Sequence, residues 1–296
     1  MSIVLSADIG GSHITAGLID LENKKVLGGG LKRTAVDPRG SSDEILGKWS
    51  RLLSETLHLS PVKVSSLGLA VPGPMDYGKG ISLIESQDKF RSLYGKNIKE
   101  ELSSALGIEV SGIHMENDAL CFLKGELWYA GHPNTRTLGI TLGSGLGSAF
   151  SDGREVNDAN LWNRPFKHGS VEDYLSTKWF IGRFMEETGI RCAGVKEILD
   201  VDNQAAQEVI FNEYGDNLNE FIKDITDEFG VDQVLIGGNI ALAHKLFTHR
   251  FSDVLKYRIS SLGELAALYG AIAGPISDPD LADSKNSLEF PRYKNG

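Results

Sequence analysis

Ile3-Val4-Leu5-Ser6-Ala7-Asp8-Ile9-Gly10-Gly11-Ser12 is a β-rich run that ends on a carboxylate and a glycine pair. A second β-type segment, His13 to Asp20, follows at once. A turn at Glu22-Asn23-Lys24 then leads to a third, Val26 to Thr34. The spacing predicts an antiparallel meander. The same opening returns halfway along the chain, as Thr137 to Leu142, the turn Gly143-Ser144-Gly145, and Leu146 to Ser151. Strand, glycine turn, strand at the head of each half reads as a structural duplication, two α/β domains facing one another.

Working outward, Ser42 to Leu59 carries Ile45, Leu46, Trp49, Leu52, Leu53 and Leu57 at helical spacing. Val64 to Val71 is a buried-type strand that runs into Pro72-Gly73-Pro74. Ile98 to Leu106 is a helix, Val110 to His114 a strand and Ala119 to Tyr129 a helix. In the second half, helical patterns fill Glu172 to Glu187 and Asn203 to Phe229. Gln233 to Ile236 is a strand ending at Gly237-Gly238. A helix over Ile240 to His249, a strand over Asp253 to Ile259 and a helix over Gly263 to Ala273 complete the pattern. The boundary between the halves falls near Glu116 or between Ala130 and Thr135; taking the first divides the chain into an N-terminal lobe, 1–117, a C-terminal lobe, 118–276, and a polar peripheral tail, 277–296.

The bulk properties set limits. With 296 residues, 41% hydrophobic and 24% charged, the chain can build one large core or two ordinary ones. Its net charge of −10 disfavours nucleic acid and anionic lipid as partners. The two cysteines, Cys121 and Cys192, form no CxxC pair, so thiolate zinc is not expected. No secretory leader and no bilayer-length apolar run is read, so a soluble cytoplasmic protein is expected.

The loops carry the chemistry. A phosphate needs several converging donors, and backbone N–H groups in glycine turns provide them. Gly10, Gly11 and the Ser12 hydroxyl could do so in the first half, and Gly143, Ser144, Gly145 and Gly147 in the second. The plain alternative for each is a hairpin turn. Asp8 ends the strand before the first turn and could hold Mg²⁺ through water, the usual mode for that ion. Glu116-Asn117-Asp118 sits where a strand meets a helix. Asp118 could be a helix cap, or the base that takes a proton from an attacking hydroxyl, with Asn117 binding a second hydroxyl. Gly237-Gly238-Asn239 could leave room for adenine or ribose, or simply turn the chain.

Taken in order, Asp8-Ile9-Gly10-Gly11-Ser12, Pro72-Gly73-Pro74, Glu116-Asn117-Asp118, Leu142-Gly143-Ser144-Gly145-Leu146-Gly147, Gly237-Gly238-Asn239 and Gly263-Glu264 to Gly270-Ala271 resemble the ROK-family sugar kinases (repressor, open reading frame, kinase). The resemblance runs from Ile3 to Gly274. It implies an α/β, actin-like ATPase (ribonuclease H-like) fold of two lobes, each a mixed sheet flanked by helices, with a cleft between them. It implies ATP and Mg²⁺, with Asp118 as catalytic base and Asn117, Gly73 and Glu172 among the sugar-binding residues. Nucleotide contacts are expected from Gly10, Gly11, Ser12, Thr141, Gly143, Ser144, Gly145, Gly237, Gly238 and Asn239. A homodimer is expected as well.

The chain departs from the family in one segment. Where members carry Glu-x-Gly-His and then a zinc-binding cysteine cluster, this sequence has Asn160, Asn163 and no cysteine loop, and Ser170 stands for a cysteine beside Glu172. No zinc site is therefore expected, and His168 reads as a surface histidine. The polar stretch Met75 to Asn97, with Gln87, Asp88, Arg91, Tyr94 and Asn97, could line a sugar pocket or be a solvated loop. Three functions compete: a hexose or N-acetylhexosamine kinase, glucokinase-like in type; a non-catalytic sugar or nucleotide binder; and a sugar-responsive repressor. The repressor is disfavoured because the phosphate motif at Asp8 leaves no room for an added DNA-binding region.

Overall fold

The computed structural model describes residues 2–85, 89–131 and 134–274. Among them the chain divides into two compact units, one of 2–131 with 264–274 and one of 134–263.

In the first unit, β1 (Ile3–Ile9), β2 (His13–Asp20), β3 (Lys25–Val26) and β4 (Lys32–Ala35) form the meander, and α1 (Ser42–Leu57) follows. Then come β5 (Leu67–Val71), a short β6–β7 pair (Met75–Asp76 and Ile81–Ser82), α2 (Ile98–Leu106), β8 (Ile113–Asn117) and α3 (Asp118–Tyr129). The sheet order is β3-β2-β1-β5-β8, with β4 also pairing β2. β1 is antiparallel to β2 but parallel to β5, and β5 is parallel to β8. Alternation along β1 sorts its side chains. Ile3, Leu5, Ala7 and Ile9 enter the core that holds Trp49, Leu52 and Leu53 of α1, while Ser6 and Asp8 face the other way.

The second unit repeats this plan. It contains β9 (Thr137–Leu142), β10 (Leu146–Ser151), β11 (Val156–Asp158), a β12–β13 hairpin (Pro165–Phe166 and Gly169–Ser170), α4 (Val171–Leu175), α5 (Thr177–Thr188), α6 (Val195–Asp200), α7 (Gln204–Phe229), β14 (Gln233–Gly237) and β15 (Tyr257–Ile259). Its order, β11-β10-β9-β14-β15, has the same two antiparallel and two parallel joins. Leu138, Ile140, Val234 and Ile236 pack there with Tyr214, Leu218 and Phe221 of α7.

The chain then returns to the first unit as α8 (Leu265–Ile272). The Ser6 hydroxyl donates to the Leu268 carbonyl at 2.6 Å. A methyl group at Gly68 would stand 2.3 Å from the Ala271 carbonyl oxygen, so α8 lies directly on the sheet. α3 lies as close on α8: a methyl at Gly125 would be 1.9 Å from the Ala266 oxygen, and one at Gly270 1.7 Å from the Cys121 oxygen. This contact keeps α3 with the first unit.

Other differences have local causes. The expected third strand breaks into β3 and β4 because Gly29 and Gly30 adopt φ of 106° and 73°. Extended backbone at Ser176 splits the expected 172–187 helix into α4 and α5. The expected helix over 240–249 is 3₁₀, Ile240–Leu246 and Thr248–Arg250, with Ala243 non-helical. Val110–Gly112 is a 3₁₀ turn rather than strand, and of Asp253 to Ile259 only Tyr257–Ile259 pairs. Residues 277–296, Gln87 and Asp88 lie outside the described residues.

Candidate active site

The register of the three parallel strands gathers the first unit's site. Asp8 lies opposite Ala70, and Ala70 opposite Glu116, so β1, β5 and β8 end along one edge. The segments that leave that edge are Gly10-Gly11-Ser12, Pro72-Gly73-Pro74 and Asn117-Asp118. Ligands commonly bind at this edge in α/β sheets, outside the carboxyl ends of the strands.

Asp118 opens α3, where the helix N-terminus favours negative charge. It lies close enough to Asp8 for the two carboxylates to repel. Burial first, then the charge of Asp118 and that of Glu264, push the Asp8 carboxyl up to about 7, against the pull of Arg33. Arg33 is ion-paired with Glu264, the residue before α8. Thr15, opposite Asp8 in register, has a buried hydroxyl oxygen with no hydrogen-bond partner among the described residues. A raised carboxyl beside a second carboxylate fits a water-bridged Mg²⁺, which takes few protein ligands and fills its shell with waters and phosphate oxygens.

The glycine turn differs from the expectation in one respect. Neither Gly10 nor Gly11 has a positive φ. Their missing side chains instead make room for others. A methyl at Gly10 would meet the His13 ring at 2.7 Å, and one at Gly11 would meet Lys89 Nζ at 2.5 Å. The Gly10 N–H donates to the His13 carbonyl at 2.9 Å, which closes the hairpin. Ser12 is exposed at its tip.

Asn117 caps α3: its side-chain oxygen accepts from the N–H groups of Ala119 (2.9 Å) and Leu120 (3.2 Å). Its amide donates to the Tyr77 hydroxyl at 3.3 Å, and that hydroxyl donates to the Val71 carbonyl at 3.1 Å. A methyl at Gly73 would stand 2.9 Å from the same Tyr77 oxygen. Gly73, Tyr77 and Asn117 are thus one cluster.

In the second unit, Thr141 lies opposite Gly237, so β9 and β14 also end together. Gly238, at φ 87°, is packed so tightly that a methyl there would be 2.3 Å from the Leu142 oxygen. Gly143-Ser144-Gly145 and Gly238-Asn239 are therefore neighbours. Asn239 precedes the 3₁₀ segment without a side-chain capping bond. Glu172 is at this turn too: its carboxylate accepts from the Leu146 N–H at 2.8 Å and lies against Gly145. Thr177 donates to the Gly143 carbonyl through both its N–H and its hydroxyl, each at 2.8 Å.

The segment that departs from the family is held by protein contacts. The N–H groups of Val171 and Glu172 donate to the carbonyls of Arg164 and Trp162, at 2.9 and 3.0 Å. The Lys167 ammonium donates to the side-chain Oδ1 of Asn217 and pairs with Glu220, both on α7. His168 is exposed. Among the described residues no group of three His, Cys, Asp or Glu side chains is arranged to hold a metal, and no helix is long and apolar enough to cross a membrane.

Tyr77, Lys89, Arg33 and Thr177 were not singled out from sequence. Each reaches its place through a contact distant in the chain, and no local pattern marks it.

Known structures share this architecture. One is the inorganic polyphosphate/ATP-glucomannokinase from Arthrobacter sp. strain KM, with a TM-score of 0.71 at 22% identity over 92% of this chain and 97% of that one. The ROK family glucokinase from Streptomyces griseus, in complex with glucose and AMPPNP, gives 0.70 at 19% identity over 91% and 98%. A ROK family transcriptional regulator, a homologue of the E. coli MLC protein, gives 0.71 at 17% identity over 93% and 77%. No curated protein sequence matches the chain. The ROK family sequence model matches residues 4–157, which takes in the Asp8 turn, Asn117-Asp118 and the Gly143 turn; the chain has the actin-like ATPase fold and belongs to the ROK family.

Proposed function

We propose that the protein is an ATP-dependent sugar kinase that transfers the γ-phosphate to a hydroxyl of a hexose or N-acetylhexosamine. The observation that carries this reading is the pairing of Asp8 with Asp118 beside a glycine turn, at one edge of the first sheet. Phosphoryl transfer needs a positioned base and stabilisation of charge rather than covalent chemistry.

Asp118 takes the proton from the sugar hydroxyl as that oxygen bonds to the γ-phosphorus. The bond from the γ-phosphorus to the bridging oxygen breaks, and ADP leaves with its electron pair. Tyr77 fixes Asn117, whose cap on α3 in turn fixes the base; Gly73, packed against the Tyr77 hydroxyl, lies beside them on the sugar side of the site. Asp8 would hold Mg²⁺ through water, and the ion would offset phosphate charge when bound. Gly10, Gly11 and Ser12 serve phosphate in the first unit. Thr141, Gly143, Ser144 and Gly145 serve it in the second, where Gly237, Gly238 and Asn239 receive the nucleoside. Glu172 and Thr177 hold the second turn in shape.

An ADP-release screen over hexoses and N-acetylhexosamines tests the activity. In the same assay Asp118→Asn should lower kcat about 10² to 10⁴-fold. The match to a transcriptional regulator supports a second reading, a sugar or nucleotide binder without transfer. Calorimetric sugar binding with no ADP release across the panel would select it.

A further inference from the structure

One row of side chains crosses the first sheet. Arg33 on β4 stands opposite Thr15 on β2, Thr15 opposite Asp8 on β1, Asp8 opposite Ala70 on β5, and Ala70 opposite Glu116 on β8. Cross-strand partners share a face of the sheet, so all five belong to one face. The two ends of the row are ion-paired, Arg33 with Glu264 and Glu116 with Lys124. Ala70 brings only a methyl group. The neutral polar neighbour of Asp8 in the row is therefore Thr15.

Thr15 is 1% exposed, and its hydroxyl oxygen has no hydrogen-bond partner among the described residues. Other buried hydroxyls of this unit are engaged: Ser6 donates to the Leu268 carbonyl at 2.6 Å and Thr56 to the Leu52 carbonyl at 2.7 Å. Leaving a buried hydroxyl unpaired is costly, and valine would fill a strand position of this shape without the cost. Directly opposite residues of an antiparallel pair carry their Cβ atoms about 5 Å apart, so one water can bridge two short polar side chains there.

We propose that Thr15 is a positioning residue for Mg²⁺: its hydroxyl bonds the water through which Asp8 holds the ion. This rests on the reading of Asp8 as the magnesium residue and deepens it. A water on Mg²⁺ turns its oxygen to the ion and has two hydrogens to donate. The Asp8 carboxylate accepts one and Thr15 Oγ1 the other. Such outer contacts fix the orientation of the groups that bind the metal and so set its affinity.

The test titrates AMPPNP by calorimetry, once with Mg²⁺ and once in chelator, into the intact wild-type chain, Thr15→Val, Thr15→Ser and Asp8→Asn. Thr15→Val keeps the shape and loses the hydroxyl, so its urea midpoint in chelator should equal or exceed that of wild type. Its affinity for the magnesium complex should fall about 10- to 100-fold, with its affinity for AMPPNP in chelator unchanged. Thr15→Ser should recover most of the loss. Equal affinity of wild type and Thr15→Val for the magnesium complex, with Asp8→Asn weakened, would overturn the role of Thr15 and leave Asp8 as the metal residue. An equal loss with and without Mg²⁺ would also overturn it, because the hydroxyl would then serve packing alone. Wild-type affinity for the magnesium complex in Asp8→Asn would refute the reading of Asp8, and no AMPPNP binding by the wild type would refute the kinase reading; either takes the proposal with it.

Discussion

Asp8→Asn in the metal-free protein should stabilise the fold, and the gain should grow with pH. The Asp8 carboxyl lies at about 7 in the folded chain, against 3.8 when unperturbed. The folded state therefore holds this proton more tightly than the unfolded state. That contribution is fully present below about pH 3.8 and is lost as pH rises through 7. At 1.36 kcal/mol per pKa unit, the whole effect is about 4 kcal/mol, of which about 3 disappears between roughly pH 5 and 8.5. Asparagine does not titrate and loses nothing over that window. The figure is a ceiling, because Asp8 keeps partial contact with water. Urea unfolding of wild type and variant in chelator, at several pH values across the window, measures the divergence. Parallel stability curves would refute the reasoning, since they would mean that Asp8 is ionised without penalty beside Asp118. Excess Mg²⁺ should shrink the divergence in the wild type, by stabilising the ionised carboxylate.

Gly270→Ala should destabilise the protein by more than about 3 kcal/mol, or abolish soluble expression, because its methyl meets a backbone carbonyl that cannot rotate away. Gly182→Ala is the control: it lies exposed on α5 with open space around it and should gain about 0.5–1 kcal/mol in the same urea assay. Glu172→Ala removes the acceptor for the Leu146 N–H and should raise the KM for ATP about tenfold with sugar KM little changed. A rise confined to sugar KM would return Glu172 to the sugar contact that the family resemblance implies.

Where the signal was local, the sequence was readable. The meander at Asp8 and its repeat at Gly143 depend on alternation and turn chemistry within about twenty residues. Ile98–Leu106 is a helix over the whole expected range, with Asn97 as its cap. Gly28 to Gly30, three consecutive glycines, are a local signal for the break between β3 and β4, which an unbroken strand over Val26 to Thr34 leaves out. The path of α8 was not legible. Gly270 looks like any small residue on a helix until Cys121 is seen against it, 149 positions away. The site follows the same division. Asp8, Gly10, Gly11, Asn117 and Asp118 stand out because they cluster where a strand gives way to a turn or a helix. Tyr77 and Thr177 do not, because they act on residues 40 and 34 positions away.

The return of α8 also imposes an order on synthesis. The second unit is continuous, 134–263, and every strand of its sheet has emerged before α8 is made. The first unit is begun earlier but finished later. Until residues 264–274 leave the ribosome, the sheet face at Ser6 and Gly68 lacks α8, and the α8 backbone that packs against Gly125 of α3 is missing. Domains generally fold as units, N-terminal first during translation. Here the half begun first is the last to gain its final helix: the core between β1 and α1 can form early, but the opposite sheet face is covered by α8 only after the later half is made.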